Sequence, residues 1–235
     1  MIISYPVRIN RYLYLKNICS RREADKLILE GKVKINGKTA LLGQQVEQID
    51  KVNVDSSHVK SKKIYVLFNK PKGVVSHNPQ NREQGPEKYL KQYGVSLHPV
   101  GRLDKASRGL MLFTNDGTIV DKMLNPKHDH EKEYEVTVDK RVEKNFLIHM
   151  REGVQIENYR TKPARLRKID SRNFSIVLTE GKKHQIRRMC AALGYQVKEL
   201  KRTRIGTLRL GNLRSGKTRL IEGKELLELK KSIAF

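Results

Sequence analysis

The chain has no tryptophan and only two cysteines, and aromatic residues make up just 6% of it. Cys19 and Cys190 stand far apart, and neither belongs to a C-x-x-C pair. That spacing argues against a structural zinc and against a disulfide framework. Both read as small buried apolar residues. So few aromatics argue against a recognition surface built from many stacking platforms. No apolar run approaches the ~20 residues of a membrane span, and no amphipathic basic helix or lipidation signal is evident. Met1–Asn10 lacks the charged start, apolar middle and cleavage site of a secretory signal. A cytoplasmic protein without membrane partners is expected.

Acidic residues are also scarce. Lys and Arg total 49 against 25 Asp and Glu, for a formal charge of +24. The surplus is +5 over residues 1–60, +8 over 61–180 and +11 over 181–235. Charge spread in this way coats folded surfaces and does not sit in one tail. It implies a polyanionic partner, and nucleic acid is the common one in a cytoplasm. A basic surface kept only for solubility explains so large an imbalance poorly.

Residues 1–55 read as a small module. Apolar positions recur at helical spacing through Val7–Ile18. Ser20, with Glu23 three residues on, opens a second helix through Arg21–Glu30, and Gly31 stands where a left-handed residue ends it. Lys32–Ile35 alternates as a strand does, Asn36-Gly37 is a hairpin turn signal, and Val52 and Val54 mark a further strand. The polar stretch around 56–63 is the linker candidate. From residue 64 to 235 strands alternate with helices without a βαβ rhythm. Strands are expected over Ile64–Phe68, Gly109–Phe113, Tyr134–Val138, Ala164–Lys168, Phe174–Thr179, Gln196–Leu200 and Thr207–Leu210. Helices are expected over Glu87–Tyr93, Thr118–Leu124, Glu143–Arg151, Lys183–Leu193 and Glu222–Lys231. The fold class is α+β, a small α/β module plus a larger domain on a mixed, mainly antiparallel sheet with flanking helices.

The segment HPVGRLDKASRGLMLFTNDG (His98–Gly117) carries the most chemistry. Asp104 lies between Leu103 and the apolar strand that starts at Leu110. Arg102, Lys105 and Arg108 flank it and can hold a carboxylate ionised or grip phosphates. Gly101 and Gly109 allow close backbone approach at either end. On physical grounds a catalytic carboxylate competes evenly with a turn residue or a salt-bridged structural one.

GRLDKASRGLMLFTNDG resembles the catalytic signature of the RsuA-type pseudouridine synthases. Three other segments resemble that family's motifs in order and spacing: LFNKPKGVVS (Leu67–Ser76), EKEYEVTVD (Glu131–Asp139) with its Lys-x-Tyr, and EGKKHQIRRMCAALGYQVKELKRTRIG (Glu180–Gly206). The N-terminal RINRYL, CSRREADKLI and GKVKINGK resemble an S4 RNA-binding module. DHEKEYEVTVDK and CSRREADKLI are most similar to the RluF branch, which acts on large-subunit ribosomal RNA.

The resemblance implies a cofactor-free isomerisation of uridine to pseudouridine on a base flipped out of structured RNA. It makes Asp104 the essential carboxylate, attacking the ribose C1′ or C6 of the base, or removing the 2′ proton. It makes Tyr134 the residue that stacks on the flipped base, where an ordinary strand aromatic is the competing reading. It makes Arg187 the cation paired with Asp104, where a solvated basic helix face competes, and Arg188 a weaker candidate for that job. Arg102 would fill the space the uridine leaves, or hold its phosphate. Lys70, Arg188, Arg202 and Arg204 in the motifs, and Arg8, Arg11, Arg21, Arg22, Lys34 and Asn36 in the module, are candidate RNA contacts. The expected substrate is 23S ribosomal RNA and the expected state a monomer. Alternatives are 16S or transfer RNA, or a non-catalytic ribosome-assembly factor.

Two patterns are set aside. GNLRSGKT (Gly211–Thr218) matches a P-loop letter for letter, but 17 residues cannot supply the rest of a nucleotide-binding domain. It reads as strand, Ser-Gly turn and strand. His128 and His130 flank Asp129 without further placed ligands, a weak metal site, and neither metal nor cofactor is expected. His77, His98 and His184 form no triad with a placed serine and acid.

Overall fold

The computed structural model describes residues 3–16, 18–55, 62–80, 82–124 and 130–233. The expected linker falls mostly outside them, as do His128 and Asp129. The chain divides into two compact units, one of residues 1–64 with 116–121 and one of 65–115 with 122–235.

The first unit opens with strand β1 (Val7–Arg8), helix α1 (Ile9–Leu15) and helix α2 (Arg21–Leu29), followed by β2 (Val33–Ile35), β3 (Lys38–Thr39), β4 (Gln45–Val46) and β5 (Val52–Val54). The first helix is shorter than the expected Val7–Ile18, because Val7 and Arg8 pair antiparallel with Val46 and Gln45. Ser20 caps α2, its Oγ accepting from Glu23 N at 3.2 Å, and Gly31 follows in the left-handed region at φ 68°. β2 takes β3 on one side and β5 on the other. The helices bury Ile9, Leu13, Leu27 and Ile28 against Val33, Ile35 and Val46. Cys19 is buried in the same core and burial pushes its thiol up to about 11, so it stays a neutral packing residue.

The second unit adds β6 (Tyr65–Lys70), α3 (Glu87–Leu90), β7 (His98–Val100), β8 (Arg108–Thr114), α4 (Gly117–Leu124, shared between the units), β9 (Lys132–Val138), α5 (Lys144–Glu152), β10 (Gln155–Ile156), β11 (Tyr159–Arg160), β12 (Arg165–Lys168), β13 (Asn173–Leu178), α6 (Gln185–Ala192), β14 (Val197–Ile205), β15 (Leu208–Arg209), β16 (Thr218–Leu220) and α7 (Gly223–Ile233). Its main sheet runs β12-β13-β9-β14-β8-β6-β16, with β7 on β8 and β15 on β14. Every pairing in it is antiparallel except β14 with β8. The mixed, mainly antiparallel sheet is therefore as expected. β6 is buried at all six positions, which suits a near-continuous apolar run in a strand covered on both faces.

Three details went beyond the sequence reading. β14 is longer than Gln196–Leu200 and keeps pairing with β9 along its length, with register shifts between Val197 and Glu199 and between Arg202 and Arg204. The short hairpin β10–β11 carries no strong alternation. The P-loop look-alike is a turn leading into β16, which pairs antiparallel with β6, and Gly216 N bonds Asn69 O at 2.8 Å. Among the described residues no helix is long and apolar enough to cross a membrane.

Candidate active site

A cavity of about 710 Å³ opens on one face of the second unit's sheet. That size suits a nucleotide. Its floor comes from strand register. Tyr134 on β9 pairs directly with Arg202 on β14, so their side chains share a face, and Lys132 follows two residues before Tyr134 on that same face. Leu178 and Leu200 fill the apolar part, and Asp104 enters from the loop between β7 and β8.

The Asp104 loop is held from several directions. Ser76, buried after β6, accepts from Leu103 N at 2.9 Å and donates to Leu103 O at 2.5 Å. Gly73 N bonds Lys105 O at 2.8 Å, and Ser107 N bonds Asp104 O at 2.9 Å. Arg202 brackets the loop, with Nε on Leu110 O at 2.7 Å and Nη1 on Arg102 O at 3.3 Å. Arg187 reaches from α6 to Ala106 O at 3.2 Å and Ser107 Oγ at 3.4 Å. Each bond fixes a carbonyl, an amide or, at Ser107, a hydroxyl within six residues of the carboxylate, as a preorganised site requires. Gly101 and Gly109 take φ 79° and 111°, conformations that favour glycine.

Removing the Ser76 hydroxyl tests this scaffold. Ser76→Ala leaves both backbone groups of Leu103 without their bond in a buried place. Single-turnover kinetics should show kcat down by about 10–100-fold with RNA affinity unchanged. Unchanged kcat would mean the bonds to Gly73, Arg187 and Arg202 position Asp104 on their own.

Several sequence expectations need correction. Arg187 does not pair with Asp104. Its Nη1 donates to Val197 O and its Nη2 to Ala106 O and Ser107 Oγ, so it acts on the loop after Asp104, while its buried Nε has no partner among the described residues. The basic side chain within reach is His184 at the start of α6, whose Nε2 lies 3.4 Å from Asp104 Oδ1, an ion pair when the ring is protonated. Its backbone is left-handed at φ 52°, an uncommon state for a non-glycine residue. No sequence signal marked it, because the pairing depends on that turn.

Lys70 is no RNA contact, being 0% exposed with Nζ donating to Pro71 O at 2.9 Å and Val74 O at 2.7 Å. Burial pushes its ammonium down to about 8, against the opposing pull of Asp104 and with a smaller push from Arg202. Arg202 is only 3% exposed and belongs to the cavity floor, not to an outer surface. Arg204 is engaged by Glu131 and Glu133 at 3.0 and 2.9 Å, and Arg188 by Glu157 at 2.7 Å. Arg102 is exposed and lines the cavity.

In the first unit Arg8, Arg11, Arg21, Arg22 and Lys34 are exposed. Asn36 spends its side chain on the turn, donating to Asp50 Oδ1 at 2.7 Å and accepting from Lys51 N at 2.9 Å. His130 lines the cavity, and its Nε2 lies 3.0 Å from Lys122 O. Among the described residues no three His, Cys, Asp or Glu side chains converge as metal ligands.

A carboxylate on a rigid loop, an aromatic on the facing strand and a cationic floor can hold a base and work at its sugar. A family model for RNA pseudouridylate synthase matches residues 64–192. The chain belongs to that family. An S4 domain model matches residues 7–52 of this pseudouridylate synthase. Dual-specificity RNA pseudouridine synthase RluF of Escherichia coli (strain K12) is 39% identical over 99% of this chain and 81% of its own length. Ribosomal large subunit pseudouridine synthase B of Bacillus subtilis (strain 168) is 32% identical over 95% of each. A crystal structure of a pseudouridylate synthase superposes with a TM-score of 0.71 at 33% identity, covering 95% of this chain and 99% of the other. As a member of the family, this chain is an isomerase, a pseudouridine synthase.

Proposed function

We propose that this synthase converts one uridine of 23S ribosomal RNA to pseudouridine, as a cytoplasmic monomer, with the base flipped into the cavity described above. The observation that carries the reading is the position of Asp104, half-buried on a braced loop at the wall of a nucleotide-sized cavity whose floor presents Tyr134. Asp104 acts at the sugar or the base of the target uridine, and Tyr134 stacks on the ring. Two relatives support the substrate class by their names, one a ribosomal large subunit pseudouridine synthase and the other a dual-specificity RNA pseudouridine synthase. The charge of +24 supplies attraction for phosphates over the whole molecule, and the exposed arginines of the first unit suit contacts that position RNA without reading sequence.

The test is incubation with protein-free 23S, 16S and transfer RNA from a strain lacking the enzyme, followed by pseudouridine mapping at single-nucleotide resolution. One new modification in 23S RNA is expected. Modification confined to 16S or transfer RNA would move the substrate, and none in any RNA would sink the reading.

A further inference from the structure

The cavity floor holds two cations that the chemistry assigned to Asp104 and Tyr134 leaves unused. Arg202 Nε and Nη1 are occupied by carbonyls, while buried Nη2 has no hydrogen-bond partner among the described residues. Lys132 Nζ donates to His130 O at 3.2 Å and has no other hydrogen-bond or ion-pair partner among those residues. Both side chains line the cavity and flank Tyr134 on its own sheet face. Among the described residues the other carboxylate lining the cavity is Glu180, which accepts from Tyr159 Oη, from Lys162 N at 3.0 Å and from Gln185 Nε2 at 2.5 Å. It does not neutralise the floor. Burial lowers the pKa of Lys132, and Arg202 beside it lowers it further, the behaviour of a cation that lacks an anion.

Resting on the function above, we propose that Lys132 and Arg202 form the electrostatic seat for the uracil anion that exists between detachment and reattachment of the base. When the C1′–N1 bond breaks, its electron pair leaves with the ring, and the negative charge spreads onto N1, O2 and O4. C1′ is meanwhile bonded to the Asp104 carboxylate, or joined to C2′ by a double bond after Asp104 has taken the 2′ proton. C5 then forms the new bond to C1′ with a ring electron pair, either as the C1′–O bond to Asp104 breaks and its pair returns to the carboxylate, or as C2′ takes back its proton from Asp104. The proton on C5 leaves to a base and N1 takes one up, so the ring ends neutral. A free anionic base has to be retained while it turns. Stacking on Tyr134 permits rotation in the plane of the ring, and a charge seat beside that ring lowers the energy of the anion without fixing its orientation. Lys132 supplies a flexible N–H donor. Arg202, pinned by its two carbonyl bonds, supplies fixed charge. Donors already in place where charge develops need no reorganisation during the reaction.

The probe is the leaving group. Fluorine at C5 makes uracil a better-stabilised anion, one that needs less help from the protein. Wild type, Lys132→Met and Lys132→Arg are compared in single turnover on whichever RNA the mapping experiment identifies as substrate, with uridine or 5-fluorouridine at the target. Conversion is read by mass spectrometry of the digested nucleosides, as pseudouridine from uridine and, from 5-fluorouridine, which has no C5 proton to lose, as the C5-linked nucleoside that keeps its fluorine and adds water across N1 and C6. Affinity is read by filter binding and folding by thermal melts.

Lys132→Met should slow the uridine reaction by about 100-fold with affinity held within about threefold, while the deficit on 5-fluorouridine falls to about tenfold or less. Lys132→Arg should recover most of the rate. Equal deficits on the two substrates would overturn the proposal. So would lost affinity with normal rate at saturation, which marks a phosphate contact, or failure of Lys132→Arg to recover any rate in a folded protein. A wild-type enzyme inert on every RNA would instead remove the underlying isomerase reading, and the seat with it.

Discussion

Asp104→Asn is expected to reduce turnover by at least about 10⁴-fold, the scale on which enzymes lose rate when the group that reacts with substrate is removed. Asparagine has nearly the same shape, and Asp104 O, the atom that bonds Ser107 N, belongs to the backbone and is untouched. The bonds from Ser76, Arg187 and Arg202 likewise reach backbone or neighbouring atoms of the loop, not the carboxylate. The loop should therefore keep its conformation while losing its negative charge and its ability to bond to C1′ or accept a proton. His184, 3.4 Å from Oδ1, loses a partner that forms an ion pair with it only when the ring is protonated, which costs little at this half-exposed site. Single-turnover mapping should find no pseudouridine, with RNA affinity and melting temperature close to wild type. Modification at more than a few per cent of the normal rate would show that another group performs the chemistry.

Gly109→Ala should be the most damaging small change to stability. Gly109 lies opposite Arg202 in the one parallel pairing of the sheet. A Cβ there would sit 2.3 Å from Arg202 O and 2.7 Å from Arg202 N. Those are backbone atoms of a central strand and cannot swing aside. The residue also has φ 111°, which strains any side chain. The two effects together should cost about 3 kcal/mol or more, a fall of about 6–12 °C in melting temperature for a chain of this size. Activity should fall as well, since the displaced strand carries the guanidinium that brackets the Asp104 loop. Gly181→Ala serves as the control, because a Cβ there meets nothing within 4 Å. Equal melting temperatures for both variants would refute the packing account of Gly109.

The elements with clear periodicity were legible in the sequence. The second helix with its Ser20 cap, the apolar strands β6 and β8, and the turn at Asn36-Gly37 each follow from local chemistry. Asp104 and Tyr134 were marked by motif, and both line the cavity. What the sequence hid were properties of pairing between distant segments. Lys70, Arg202 and Arg204 looked like RNA contacts because lysines and arginines are usually exposed. Lys70 is buried because β6 is covered on both faces, Arg202 because its strand lies between β8 and β9, and Arg204 is consumed by two glutamates of the neighbouring strand. Arg187 was matched by motif to the cation beside Asp104, yet the path of α6 carries it to the following turn, and His184 takes the nearer place. Ser76 lies 28 residues before Asp104 in the chain, and only the antiparallel return of β8 along β6 brings it to Leu103.

The bracing of the Asp104 loop has a consequence for how the enzyme comes into being. The groups that hold it come from Gly73 and Ser76 on one side of the sequence and from Arg187 and Arg202, 80 to 100 residues further on. No local contact can substitute for them, and contacts so distant in sequence form only after long segments of chain have been ordered. A nascent or partly folded chain can already carry its positive charge to RNA, but it has no carboxylate fixed in place. Competence to modify a base arrives only with the docking of β14 and α6, so catalytic activity is itself a readout of completed folding.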